Sequence, residues 1–153
     1  MSPARKNTLH IDLYDQPGHL IRRAHQIAVS KFHERVGRNV TPVQYAILRM
    51  LQDRPGIDQV TLAQLVLLDN STTADIAARL ETKGLISREL RARGQRSLEL
   101  TPAGEDLLAR LVAGVRSLQS DLLGRLEPAE RLEFLRLLRK FSDLGAASRA
   151  ASG

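Results

Sequence analysis

Residues 61–90 read TLAQLVLLDNSTTADIAARLETKGLISREL, and the parsing of this run decides the architecture. TLAQLVLLD carries a compact helical pattern, expected to be capped by Thr61. NSTTADIAARLETKGL opens on side chains of the capping type and closes on Gly84, a left-handed stop preceded by Lys83. Helix, tight turn, helix is the spacing of a helix-turn-helix. The period then switches to two. ISREL and, a few residues on, SLELT read as short strands, with Arg93, Gly94 and Gln95 at the turn between them. Arg88, Arg91, Arg93 and Arg96 fall within nine residues against a single acid, Glu89, so this window carries four positive charges minus one, or +3. Such crowding is costly unless an anion lies opposite.

Upstream, QPGHLIRRAHQIAVSKFHERVG is a long helical pattern ended by Gly37, with Leu20, Ile21, Ala24, Ile27, Ala28, Phe32 and Val36 on one broad apolar side. TPVQYAILRMLQDRPG is a second helix, with Thr41 as N-cap, Pro42 at the first helical position and Pro55-Gly56 as the stop. Downstream, residues 101–126 and 127–145 carry two further helical patterns; Leu107, Leu111, Val115, Leu118 and Leu122 repeat at helical spacing in the first. The expected fold is mainly α with a small β-hairpin: a winged helix-turn-helix in a helical frame. That arrangement explains the basic tip, because a wing lies beside the DNA backbone while a helix enters the major groove.

Composition narrows the function classes. With 153 residues and a formal charge of +6, an anionic partner is favoured. The absence of Cys removes disulfides, thiolate metal sites and thiol nucleophiles. No apolar run is long enough to span a bilayer and the N-terminus lacks a signal-like segment, so a cytoplasmic protein is expected. Tyr14, Phe32, Tyr45, Phe134 and Phe141 are the only aromatics, too few for stacking platforms, which points to duplex rather than single-stranded nucleic acid. No phosphate loop, metalloprotease motif or nucleophile elbow is present. Neither an enzyme nor a cofactor is expected, and His19 and His33 are too far apart on one helix to share a metal. Two other classes remain open: a helical protein-interaction module with a basic tip, and a non-specific DNA-binding architectural protein.

Candidate DNA contacts fall in two places. On the second helix of the motif, Ser71 and Thr72 stand at the N-terminus, where free N–H groups favour a phosphate; Ser71 serves equally well as a simple N-cap. Thr72, Asp75 and Arg79 recur along the side away from Ile76 and Leu80. Read as a groove-facing stripe, Thr72 or Thr73 meets a thymine methyl, Asp75 a cytosine amine and Arg79 a guanine or phosphate. Read as solvated surface, the same stripe holds an Asp75–Arg79 ion pair worth only ~0.3–0.5 kcal/mol. On the wing the candidates are Arg88, Arg91, Arg93, Gln95 and Arg96, with the first two and Arg93 expected on one strand face and Arg96 opening the opposite strand.

From Thr41 onward the chain resembles the MarR family of bacterial transcriptional regulators, on TPVQYAIL, TLAQLVLLDNSTTADIAARLETKGLISRE and SLELTPAG. The resemblance implies a homodimer whose first and last helices form the interface, two winged lobes on a palindromic operator, and repression relieved by a small molecule. It implies the following division: 1–40, arm and first helix; 41–101, DNA-binding domain; 102–146, C-terminal dimerisation helices; 147–153, a disordered tail. Two departures stand out. The wing RARGQR has no Asp among its arginines, and Asp75 occupies a position where many relatives carry a basic residue.

His19, Arg22, Arg23, Gln26, Ser30 and His33 share one side of the first helix. This is either an ordinary solvated stripe or, as the resemblance suggests, part of an effector cleft. Arginine matches a carboxylate with a forked donor. His19, Arg22, Arg23, Gln26 and Tyr45 are therefore the candidate effector-binding residues, for an aromatic acid or its CoA thioester.

Overall fold

The computed structural model describes residues 10–144; the tail expected to be disordered, 147–153, lies outside them. The described residues fall into two compact units, one ending at Leu118 and one beginning at Gln119. Among the described residues, no helix is long and apolar enough to cross a membrane.

In the first unit, helix α1 (Pro17–Arg35) starts on Pro17 and ends before Gly37, whose φ of +100° is open to glycine. Helix α2 (Pro42–Asp53) carries a full capping box: Thr41 accepts from the Gln44 N–H, and the Gln44 side chain accepts from the Thr41 N–H. Ile47, Leu48 and Leu51 on its inner side are buried. A two-residue strand, β1 (Ile57–Asp58), then leads directly into α3 (Gln59–Leu65). The sequence pattern does not reveal β1, because two residues display no period; it forms only because β3 lies alongside.

Helix α4 (Asn70–Thr82) follows α3 through a turn in which Leu67 adopts φ +54° while 81% exposed. Strands β2 (Ile86–Leu90) and β3 (Arg96–Leu100) pair antiparallel from Ile86↔Leu100 to Leu90↔Arg96, and β1 adds to the other edge of β3, giving the order β1-β3-β2. A single 3-10 turn, Ala92–Gly94, joins them, with Arg93 and Gly94 both left-handed. Leu62, Ala77, Leu80, Ile86, Leu98 and Leu108 meet in one core with the α2 residues. Period-3.6 faces of four helices and the inner face of the sheet thereby hide their apolar sides together.

Helix α5 (Pro102–Leu122) begins at Thr101, whose Oγ accepts from the Gly104 N–H and donates to the Gly84 carbonyl. Farther along, a Cβ on Gly114 would stand 2.5 Å from the Arg35 carbonyl oxygen, so α1 and α5 cross with backbone nearly touching backbone. In the second unit, α6 (Pro128–Phe141) starts with Pro128 and a Glu127–Glu130 capping box. Leu132 and Phe141 on it are 73% and 70% exposed.

Two caps differ from the expected ones. Asp58, not Thr61, caps α3: its carboxylate accepts from the Thr61 N–H at 3.0 Å and the Thr61 hydroxyl at 2.6 Å. Asp69, upstream of Ser71, caps α4. In both cases a carboxylate earlier in the chain offers the exposed N–H groups a stronger acceptor than a hydroxyl. Those bonds hold the Asp58 carboxyl below its ordinary value of 3.8, the Thr61 hydroxyl contributing most. The Asp58 contribution to stability is thus fully present above about pH 3.8 and lost as the pH falls through its lower native value. Asp58→Ala is expected to cost about 1 kcal/mol at pH 7. Urea titrations of both proteins should converge in acid; a difference that persists at pH 2 would remove the charge from the explanation.

Candidate nucleic-acid interface and effector cleft

The outer side of α4 presents Ser71, Thr72, Asp75 and Arg79, all exposed. Asp69 already occupies the N-terminus of this helix, accepting from the Thr72 N–H at 2.6 Å and the Thr72 hydroxyl at 2.8 Å. These two bonds hold its carboxyl below the usual aspartate range. The backbone of Ser71 and Thr72 is therefore less open to a phosphate than the sequence suggests. Thr73 is a correction: it is fully buried, and its hydroxyl donates to the Asp69 carbonyl at 2.9 Å, so it faces the core rather than a thymine methyl. Among the described residues no ion pair joins Asp75 to Arg79, and both charges remain on the surface stripe.

On the wing, Arg91, Arg93, Gln95 and Arg96 are all exposed. Arg93, Gln95 and Arg96 line one side of a cleft of about 320 Å³, with Asp58, Gln59 and Val60 opposite. Arg91 leans toward the sheet edge; its guanidinium and the Glu99 carboxylate both lie close over Gly56. Arg88 departs from expectation. It does not share a face with Arg91 and Arg93, since it stands three and five residues away, odd steps, and β2 ends at Leu90. Its register partner is Leu98, fully buried, so Arg88 points inward. There Nη2 donates to Glu81 Oε1 at 3.1 Å, with the arginine side chain only 15% exposed. Glu81 is held below the usual glutamate range, first by that hydrogen bond.

The candidate effector residues separate into two places. Near the start of α1, Tyr14 stacks at a tilt on His19, ring centroids 5.9 Å apart, and Arg23 sits over the Tyr14 ring at 5.8 Å. Arg22 and Gln26 are exposed on the same helix. Tyr45 instead packs on Phe32, centroids 5.9 Å apart. Phe32 lies thirteen residues from His19, about 20 Å along the helix axis, so Tyr45 and His19 do not share a site within one chain. Tyr45 lines a groove of about 490 Å³ between α2 and α5, walled by Leu108, Ala109, Val112 and Val115 and edged by Arg49, Gln52 and Arg116. Arg49 is paired with Asp53 at 3.4 Å. Sequence alone does not single out Tyr14, Arg49 or Arg116; a Tyr just before the helix-starting Pro17, and basic residues at helical spacing beside apolar ones, are the signals that carry them.

Comparison with known proteins converges on one family. The MarR family model matches residues 40–98. The transcriptional regulator HosA of Escherichia coli is 38% identical over 104 residues, spanning 67% of this chain and 77% of the relative. The chain belongs to the MarR family. This MarR protein is accordingly a DNA-binding transcriptional regulator and not an enzyme. Among solved structures, the PcaV regulator of Streptomyces coelicolor, in complex with its natural ligand, superposes with a TM-score of 0.82 at 34% identity, covering 90% of this chain and 98% of that one. BpsR of Bordetella bronchiseptica, whose DNA binding is regulated by 6-hydroxynicotinic acid, gives 0.81 at 30% identity, covering 88% and 98%.

Proposed function

We propose that this MarR-family regulator is a homodimeric, sequence-specific repressor that leaves a palindromic operator when a small anionic aromatic acid, or its acyl thioester, binds. One observation carries the DNA half: the outer side of α4 and the tip arginines Arg91, Arg93 and Arg96 are both uncovered, while the inner sides of the same elements fill the core. In this reading Thr72 meets a thymine methyl, Asp75 a cytosine amine and Arg79 a guanine or phosphate, with Arg91, Arg93, Gln95 and Arg96 on the flanking backbone. Homodimerisation is supported by apolar side chains left open in the single chain. Leu20, Ile21 and Ile27 on α1 are 45–46% exposed despite belonging to its apolar side.

The effector half is supported by the α2–α5 groove, whose apolar walls and arginine rim suit an aromatic anion. The ligand-controlled relative BpsR responds to such an acid. His19, Arg22, Arg23 and Gln26 form a second cationic face on α1, to which the carboxylate end is assigned.

Fluorescence anisotropy with DNA from upstream of the protein's own gene and with random DNA tests the DNA half. A preference of ~10³ or more is expected; equal affinity for both probes would return the protein to non-specific architecture. For the effector half, Arg22→Ala is expected to keep operator affinity and to lose release by 6-hydroxynicotinic acid or a related aromatic acid added at millimolar concentration. Unchanged release would take this face of α1 out of the site.

A further inference from the structure

We infer that Glu81 and Arg88 form a positioning brace that sets the wing against the recognition helix, and that Arg88 is not itself a DNA contact. The inference rests on the DNA-binding reading above. Glu81 lies in the last turn of α4, the helix that carries the reading face, and Arg88 lies at the middle of β2. Because Arg88 is paired with the buried Leu98, its side chain is directed under the helix and not toward the wing tip. Only 15% of it is exposed, and its Nε is buried with no partner. A guanidinium placed for a phosphate keeps its whole fork at the surface; this one leaves a donor unsatisfied in order to reach Glu81. Arg96, opposite Leu90 on the other strand, also lies within the field of the Glu81 carboxylate. The bond itself is made from α4 to β2, through Arg88 alone. This wing has no acid of its own among its tip arginines, so the brace comes from the helix.

The sign of one substitution separates the two roles of this pair. Removing a carboxylate from a DNA-facing lobe ordinarily tightens binding, because it raises the positive field. For Glu81→Gln the brace predicts the opposite: operator affinity falls roughly tenfold, with the salt slope unchanged. The swapped pair, Glu81→Arg with Arg88→Glu, should recover most of that loss. In the DNA-free protein, amide exchange across residues 96–100 should speed up in Glu81→Gln. Tighter or unchanged operator binding by Glu81→Gln, or unaltered exchange, overturns the brace. So does a drop of about one unit in salt slope for Arg88→Ala; if that variant does not fold, Arg88→Gln, which also removes the charge but keeps a polar side chain, is read by the same slope. Wild-type protein that shows no operator preference would strike the DNA-binding reading alone, and the exchange measurement would still decide the brace.

Discussion

Gly104→Ala is expected to lower the unfolding free energy by about 3 kcal/mol and the melting temperature by roughly 6–12 °C. The reason is backbone against backbone. A Cβ at position 104 would overlap the carbonyl oxygen of Leu85 and press on the Leu100 side chain at 3.2 Å. The Leu85 carbonyl cannot withdraw freely, because it accepts from the Thr101 N–H at 3.1 Å. Thr101 in turn holds the Gly84 carbonyl and the Gly104 N–H. One methyl group therefore strains the junction where the end of α4, the start of β2 and the start of α5 are tied together. Gly18→Ala is the control. Nothing lies within 4 Å of its added Cβ, and better helix propensity should raise stability by about 0.5 kcal/mol. Thermal melts followed by circular dichroism would measure both; equal melting temperatures for the two variants would refute the close approach.

The double variant Arg93→Ala/Arg96→Ala is expected to bind operator DNA about 100-fold more weakly at physiological salt, with a salt slope shallower by about two units. Both side chains are exposed and neither belongs to the core, so the melting temperature should stay within a degree or so. The pairing of outcomes matters. Loss of affinity with retained stability assigns the arginines to the nucleic acid. A collapse of stability would instead make them supports for the cleft they share with Asp58 and Gln59.

What the sequence makes legible follows from how far each interaction reaches. The apolar periods of residues 61–80 and the alternation around the wing give the helix-turn-helix and the hairpin, because those patterns are local and face one core. LTPAG is readable as a helix start, yet its glycine, Gly104, is explained only by Leu85, a residue well upstream that the fold returns to its side. The expected caps miss in the same direction, Thr61 for Asp58 and Ser71 for Asp69: in LLDNSTT, Asp69, Asn70, Ser71 and Thr72 all qualify, and only geometry selects Asp69. Thr73 and Arg88 show the same limit at the candidate site. Both have the chemistry of DNA contacts, and one step of helical or strand register turns each inward. The separation of Tyr45 from His19 is likewise invisible until α1 and α2 are packed through Phe32.

The central claim is that α4 and the wing of two subunits grip one duplex together. Chemical footprinting of the wild-type protein on its upstream DNA tests it most directly. The account predicts two protected major-groove segments about one helical turn, 10–10.5 base pairs, or a multiple of it apart, each flanked by backbone protection that Arg93→Ala/Arg96→Ala abolishes. A single protected segment, or flanking protection that survives loss of both arginines, would contradict it.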